Sequence, residues 1–424
     1  LSYLDDTPFT EQTTDLKTLL KETTATVVDT AEQIKTTYDQ FVVPSYARTL
    51  VLTKGEGCKV WDSEGKEYLD LGGGIAVNCL GHAHPAITKA LVEQSQRLIH
   101  SSNLYYNELQ GRLARELVEL TGPGKVFFCN SGAEANEGLY KLARKTLHEQ
   151  GRYEIITALN SFHGRTLGGI SATGQDKVKK GFDPLVPGFL HVPFNDLEAV
   201  NSAITDKTAA ILIEGIQGEG GITPASVEYL LELRKLTKEK GILLLMDAVQ
   251  CGFFRTGRFQ SYQRILEGVE GGEAFLPDGI SMAKSLGGGF PIGAIWIAAP
   301  YADVFQPGTH GTTYGGTPLA CAVSLAVLEE IRSKHLDQNI REQGDYLKAE
   351  LEKMKGSHGI AGVRGLGGML GLLMEGDAVE AGKKLREQGL LLIPAAGNVL
   401  RFLPPYNVTR AELDEALAII RKTL

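Results

Sequence analysis

The sequence predicts an α/β protein, with a large domain built on a mostly parallel central sheet flanked by helices and a smaller α+β domain after it. Short apolar runs at 126–129, 154–158, 209–213 and 242–246 each stop at a glycine, a charged residue or a turn, as buried strands do. Helical stretches such as 227–240 separate them, and that alternation builds a parallel sheet through crossover helices. The C-terminal part reads differently, with helices at 318–334, 343–355 and 410–423 around short strands.

Taken in order, residues 1–40 are polar and threonine-rich, with one amphipathic helix expected over 16–40. Residues 61–70 read as a hairpin with Glu64 and Gly65 in the turn. A helix is expected over 85–100, with Pro85 at its first position and Ile87, Leu91 and Leu98 on one face. The expected domains are an N-terminal segment 1–80 that contributes to the small domain, a large domain 81–310 and a C-terminal small domain 311–424.

Composition narrows the function. An apolar fraction of 43% over 424 residues fits a globular chain of one large and one smaller domain. A net charge of −8 gives no reason to expect nucleic acid or anionic lipid as partner. The five cysteines are scattered without a C-x-x-C pair, which predicts reduced thiols and a cytoplasmic setting. No apolar run approaches the roughly 20 residues of a membrane span, and no signal peptide is visible. The first residue is Leu1, so a removed organellar targeting segment stays open.

The chemistry centres on Lys284, which precedes a glycine-rich turn, and on Asp247, which follows an apolar run. A lysine amine can form a Schiff base with an aldehyde cofactor, and a buried aspartate can hold a pyridinium nitrogen protonated, the two requirements of pyridoxal phosphate chemistry. A lone lysine is more often a surface residue; the other motifs reverse that reading. Ser131, Gly132, Ala133 and Glu134 lie between a strand and a helix with capping-box spacing. Small residues there let a phosphate approach free backbone N–H groups, although an ordinary N-cap has the same pattern.

Phe162 and Arg165 follow another strand, where they could stack on a ring and clasp a carboxylate, or be a core Phe and a surface Arg. Glu214 and Glu219 flank a glycine-dense turn, and Thr312 and Thr313 offer hydroxyls among glycines. His82 and His84 lack the companions of a metal site, so no metal is expected.

Together these stretches resemble the class III pyridoxal phosphate-dependent aminotransferases of fold type I, and within them the acetylornithine branch. The resemblance rests on residues 68–85, 130–137, 162–165, 217–221, 247–250, 283–293, 308–316 and 401–405, and covers the chain from about residue 42 to its end in family order. It implies that Lys284 carries the cofactor and shuttles the proton, while Asp247 faces the pyridine nitrogen. Val249 and Phe162 would sandwich the ring, and Gln250 would reach its phenolic oxygen. Ser131, Gly132 and Ala133 would bind the phosphate, joined by Thr313 of the neighbouring subunit in a homodimer with shared active sites. Arg165 would take the substrate α-carboxylate, Thr312 would touch the neighbour's substrate, and Glu219 with Arg401 would form a switch that admits either one or two carboxylates.

The implied reaction transfers the terminal amine of N-acetylornithine to 2-oxoglutarate. Transamination of ornithine, succinylornithine or 4-aminobutyrate is the alternative, and a non-catalytic cofactor-binding homologue a distant one. The chain departs from the family pattern at Gly215, Ala248 and Thr317, and residues 267–273 lengthen the spacing between Asp247 and Lys284, as a surface loop would.

Overall fold

The computed structural model describes residues 29–424. The described part of the expected N-terminal helix is Ala31–Phe41, capped reciprocally by Thr30 and Gln33; the rest of that expectation lies outside the described residues. The chain divides into two compact units, residues 29–53 with 61–66 and residues 54–60 with 67–424. In the first, Gly65 adopts φ +82° and donates its N–H to the Asp62 carbonyl at 3.1 Å, which makes the expected turn. The flanking strands are Lys59–Asp62 and Glu67–Asp70.

The second unit holds a seven-stranded sheet. Its strands are β1 (Gly124–Cys129), β2 (Glu154–Ala158), β3 (Phe189–Val192), β4 (Thr208–Glu214), β5 (Leu243–Asp247), β6 (Gly279–Met282) and β7 (Gly293–Ala298), in the order β1-β7-β6-β5-β4-β2-β3. β7 alone runs against the others. Every residue of the central strands β4 and β5 is buried, the pattern of strands covered by helices on both faces. The register sets Asp247 of β5 between Glu214 of β4 and Ser281 of β6 at the carboxyl edge of the sheet. That edge is where open parallel sheets bind ligands.

The smaller antiparallel sheet is formed by β8 (Ile360–Leu366), β9 (Met369–Met374), β10 (Ile393–Ala395) and β11 (Val399–Phe402), in the order β8-β9-β11-β10. Arg401 sits on β11, buried and paired in register with Gly371 and Ile393. Strand Glu67–Asp70 pairs in parallel with Leu390–Leu391.

Three helix boundaries differ from expectation. The helix expected over 85–100 stops at Ser95; Leu98 is exposed, and its carbonyl accepts from the buried Gln94 side chain at 2.8 Å. The helix expected from 343 begins at Leu336, directly after His335 at φ +50°, and ends at Glu352. The helix expected over 318–334 ends at Ser333. All five cysteines are free and buried.

Candidate active site

Five strand ends converge on one cavity of about 450 Å³. Ser131, Gly132, Ala133, Phe162, Arg165, Glu219, Asp247, Val249, Gln250 and Lys284 all line it. Arg401 reaches it through Glu219 and Gln250. Thr312 and Thr313 do not line it in this chain: Thr313 is exposed, and the Thr312 hydroxyl accepts from the Asn130 side chain at 3.0 Å.

Asp247 is the electrostatic centre. It is 3% exposed, and its Oδ2 accepts from His163 Nδ1 at 2.8 Å and from Asn136 Nδ2 at 2.7 Å. Oδ1 accepts from the Val249 N–H at 3.0 Å. Asn136 is fixed in turn by the Ser281 hydroxyl, which donates to its Oδ1 at 2.6 Å, and it donates to the His163 carbonyl at 3.0 Å. A buried carboxylate held by this many donors keeps one orientation. His163 Nε2 is buried without a partner among the described residues.

Sequence reasoning gave Asn136 and His163 no role. Both were within reach: His163 adjoins Phe162, and Asn136 lies one helical turn beyond Gly132, on the face that turns to the sheet. Glu214, read as part of a polar turn, also lines the cavity. Its carboxylate accepts from the Phe162 and Gly218 N–H groups, each at 3.2 Å. Burial, reinforced by Asp247, raises its pKa well above the usual carboxylate range.

Lys284 stands just beyond β6 in the left-handed region, at φ +47°. That conformation is strained for a residue with a side chain, and it marks a position the surroundings over-determine. Ser285 anchors the turn by donating to the Ala76 carbonyl at 2.9 Å. Gly287 closes it: a Cβ there would lie 1.9 Å from the Phe290 carbonyl oxygen. Burial lowers the Lys284 pKa to about 8, with Glu219 opposing and Arg401 reinforcing the shift. The amine has no hydrogen-bond partner among the described residues. A half-neutral amine near pH 8 is a competent nucleophile. Uptake of pyridoxal phosphate by the apo-protein is therefore expected to quicken as pH rises through about 8 and then level off. Stopped-flow absorbance across pH 6–10 tests this; a rate still climbing at pH 10 contradicts it.

The expected phosphate cradle is the N-terminus of helix Gly132–Thr146. Ser131 caps it by accepting from the Glu134 N–H at 3.2 Å. The capping box is displaced by one residue, because the Glu134 carboxylate returns to the N–H of Asn130, at 2.5 Å, instead of to Ser131. Gly132 permits close packing: a Cβ on it would lie 2.6 Å from Val249 Cγ1. Free N–H groups at a helix start, a pocket that admits only glycine beside Val249, a buried carboxylate and an available amine make a donor set that fits pyridoxal phosphate. Gly132→Ala is expected to displace Val249 and weaken pyridoxal phosphate about tenfold or more, because overpacking a tight contact costs about 1–3 kcal/mol. Equilibrium dialysis with wild-type affinity would contradict this.

The carboxylate-binding side is drawn together by Arg401. It is 1% exposed, donates from Nη1 to Glu219 at 2.5 Å and from Nη2 to the Pro394 carbonyl at 3.2 Å, and its Nη1 lies 3.4 Å from Gln250 Oε1. Arg165 is exposed at the cavity, its guanidinium 5.0 Å from the centre of the Phe162 ring. Of the three departures, Gly215 packs where any Cβ would meet Ser261 Oγ at 2.2 Å, and Thr317 donates to the Ile99 carbonyl at 2.6 Å. Ala248 is buried behind the site.

The Aminotransferase class-III family pattern matches residues 42–424. The acetylornithine aminotransferase of Caldanaerobacter subterraneus is 49% identical over 92% of this chain and 98% of its own length. That of Gloeobacter violaceus is 48% identical over 91% and 96%. Among solved structures, the ornithine aminotransferase of Toxoplasma gondii superposes with a TM-score of 0.87 at 32% identity, covering 97% of this chain and 98% of its own. The N-acetylornithine aminotransferase of Stenotrophomonas maltophilia gives 0.77 at 35% identity, over 92% and 98%.

Proposed function

The chain belongs to the class-III aminotransferases, and on that premise we propose that it moves the terminal amine of N-acetylornithine to 2-oxoglutarate. The products are N-acetylglutamate 5-semialdehyde and glutamate, a step of arginine biosynthesis, with pyridoxal phosphate as cofactor. The observation that carries this reading is the joined pair Glu219–Arg401. N-acetylornithine has one carboxylate and a neutral acylamino group; glutamate has two carboxylates. A buried arginine left unpaired against the first would cost several kcal/mol. Glu219 neutralises Arg401 while the donor is bound and frees it when a dicarboxylate arrives. The high identity to acetylornithine aminotransferases supports the same choice.

Each residue then has a physical task. Bound pyridoxal phosphate supplies an electron sink for the substrate carbon that loses its proton. Lys284 Nζ would hold the cofactor, and the same amine would accept and return the proton as general base and acid. Asp247, fixed by His163 and Asn136, would hold the cofactor's pyridine nitrogen protonated. Phe162, Val249 and Gln250 would hold the cofactor ring, and Ser131, Gly132 and Ala133 would take its phosphate. Arg165 orients the α-carboxylate in both half-reactions.

Thr312 and Thr313 act in the neighbouring subunit of a homodimer. An exposed apolar segment with Ile99, Leu104, Tyr105 and Tyr106 supports an interface here. It is tied to the threonine loop, because Asn103 donates to the Thr312 and Gly315 carbonyls at 3.2 and 2.9 Å. Mixing Thr313→Ala chains with Lys284→Ala chains is expected to restore activity above either parent, since one of the two sites in a heterodimer is intact. No recovery would argue against shared sites.

Of the expected small domain, the part within the second unit is supported by the pairing of Glu67–Asp70 with Leu390–Leu391, which joins residues before the large domain 81–310 to residues after it. Among the described residues no helix is long and apolar enough to cross a membrane. The function is tested by kcat/KM over a panel of donors with 2-oxoglutarate. N-acetylornithine should lead; a lead for ornithine, succinylornithine or 4-aminobutyrate would replace the substrate and leave the family unchanged.

A further inference from the structure

Two chain segments present the groups that choose the substrate. Residues 159–165 follow β2 and carry Phe162 and Arg165; residues 215–221 follow β4 and carry Glu219. One side chain bridges them. Glu214, the last residue of β4, stands beside Asp247 in the sheet register, is 6% exposed and lines the cavity. Its Oε2 accepts from the Phe162 N–H and its Oε1 from the Gly218 N–H, each at 3.2 Å. Among the described residues it makes no salt bridge.

A buried carboxylic acid next to a second one is costly to ionise. Burial and Asp247 raise the Glu214 pKa, and the two N–H bonds oppose the rise. The ends of the bridge lie close to the substrate-binding charges. The Arg165 guanidinium lies 5.0 Å from the centre of the Phe162 ring, and Gly218 directly precedes Glu219, the latch on Arg401. Gln217 adds a second tie by donating to the Leu159 carbonyl at 2.9 Å, but both of its ends are farther along the chain from Arg165 and Glu219.

We propose that Glu214 is a positioning residue for substrate choice. By clamping the Gly218 amide to the Phe162 amide it keeps Glu219 on Arg401 and in register with Arg165, so that the pocket rests in the form that takes a single carboxylate. This rests on the Glu219–Arg401 switch and adds what holds it closed. A loosened clamp leaves Arg401 free more often, which favours a dicarboxylate.

The test compares pyridoxal phosphate-loaded wild type with Glu214→Gln, Glu219→Gln and the double variant. Glutamine replaces one acceptor with an NH2 that meets an N–H, and loss of either end severs the bridge. The readout is the single-turnover rate with glutamate divided by that with N-acetylornithine, a ratio that cancels any loss common to both half-reactions. Glu214→Gln is expected to raise the ratio about fivefold, the net value of one hydrogen bond. On top of Glu219→Gln it should raise the ratio no further, because the clamp acts through Glu219. Glu214→Asp keeps the acid but falls short by one methylene; it should raise the ratio too, and it carries the test if the glutamine variant does not fold. Hydrogen exchange of the loaded enzyme should quicken over 160–165 or 216–221 in the Glu214 variants. A wild-type ratio in the folded Glu214 variants, an effect of the same size on top of Glu219→Gln, or unchanged exchange would each overturn the proposal and leave the switch standing. Glu219→Gln with a wild-type ratio would remove the switch and the proposal together.

Discussion

Lys284→Ala is expected to lower turnover by at least about a thousandfold, because one side chain supplies both the cofactor attachment and the proton shuttle, and general acid–base catalysis alone is worth about 10²–10⁴-fold. The loss cannot be shared out to a neighbour. Among the described residues no other amine lines the cavity. Borohydride reduction of the native enzyme should leave the pyridoxyl mass on the peptide containing Lys284. The mass on any other lysine would remove the assignment. Added methylamine or ethylamine should recover part of the activity of the alanine variant, since a small free amine replaces the base without the tether. A purely structural role for Lys284, suggested by its φ of +47°, would give no such rescue.

Asp247→Ala should cost about a hundredfold or more in turnover, in the range seen when one preorganised electrostatic contact is lost. Cofactor attachment at Lys284 should survive, because nucleophile and phosphate cradle are untouched. The substitution also strands two buried donors, His163 Nδ1 and Asn136 Nδ2, and each unsatisfied group costs about 1–3 kcal/mol. Asp247→Asn separates the two effects, since it keeps the volume and removes the charge. If the charge matters, both variants lose activity and the visible spectrum of the bound cofactor departs from that of wild type, because the pyridine nitrogen is no longer held protonated. An asparagine variant with wild-type turnover and spectrum would show that Asp247 serves only packing.

Much of this site is legible in one sequence because a parallel sheet gathers its loops at one edge. Asp247, Glu214 and Lys284 each end or follow an apolar run, so recognising the strands places all three at the same rim. The glycine-rich turn after Lys284 announces a close backbone approach, which Gly287 fulfils. What the sequence hides is lateral support. Nothing in the spacing of Asn136, His163 and Ser281 says that they meet at Asp247; only the strand register joins residues so far apart in the chain. The early start of the helix at Leu336 was hidden because His335 breaks the chain with a left-handed residue that is not glycine. Glu267, read as part of a surface loop, is a junction for three arginines, a role that depends on Arg341 from a distant helix.

The central claim is that one pocket serves a donor with one carboxylate and an acceptor with two because Glu219 and Arg401 join and part. Single-turnover absorbance of the Arg401→Ala enzyme measures this directly, with N-acetylornithine and glutamate offered separately. The account predicts a half-reaction with glutamate slowed by about a hundredfold, as when a charge-assisted bidentate contact is lost, and a half-reaction with N-acetylornithine within a few-fold of wild type. Equal losses with both substrates would contradict the switch, and with it the argument that assigns this pocket to N-acetylornithine.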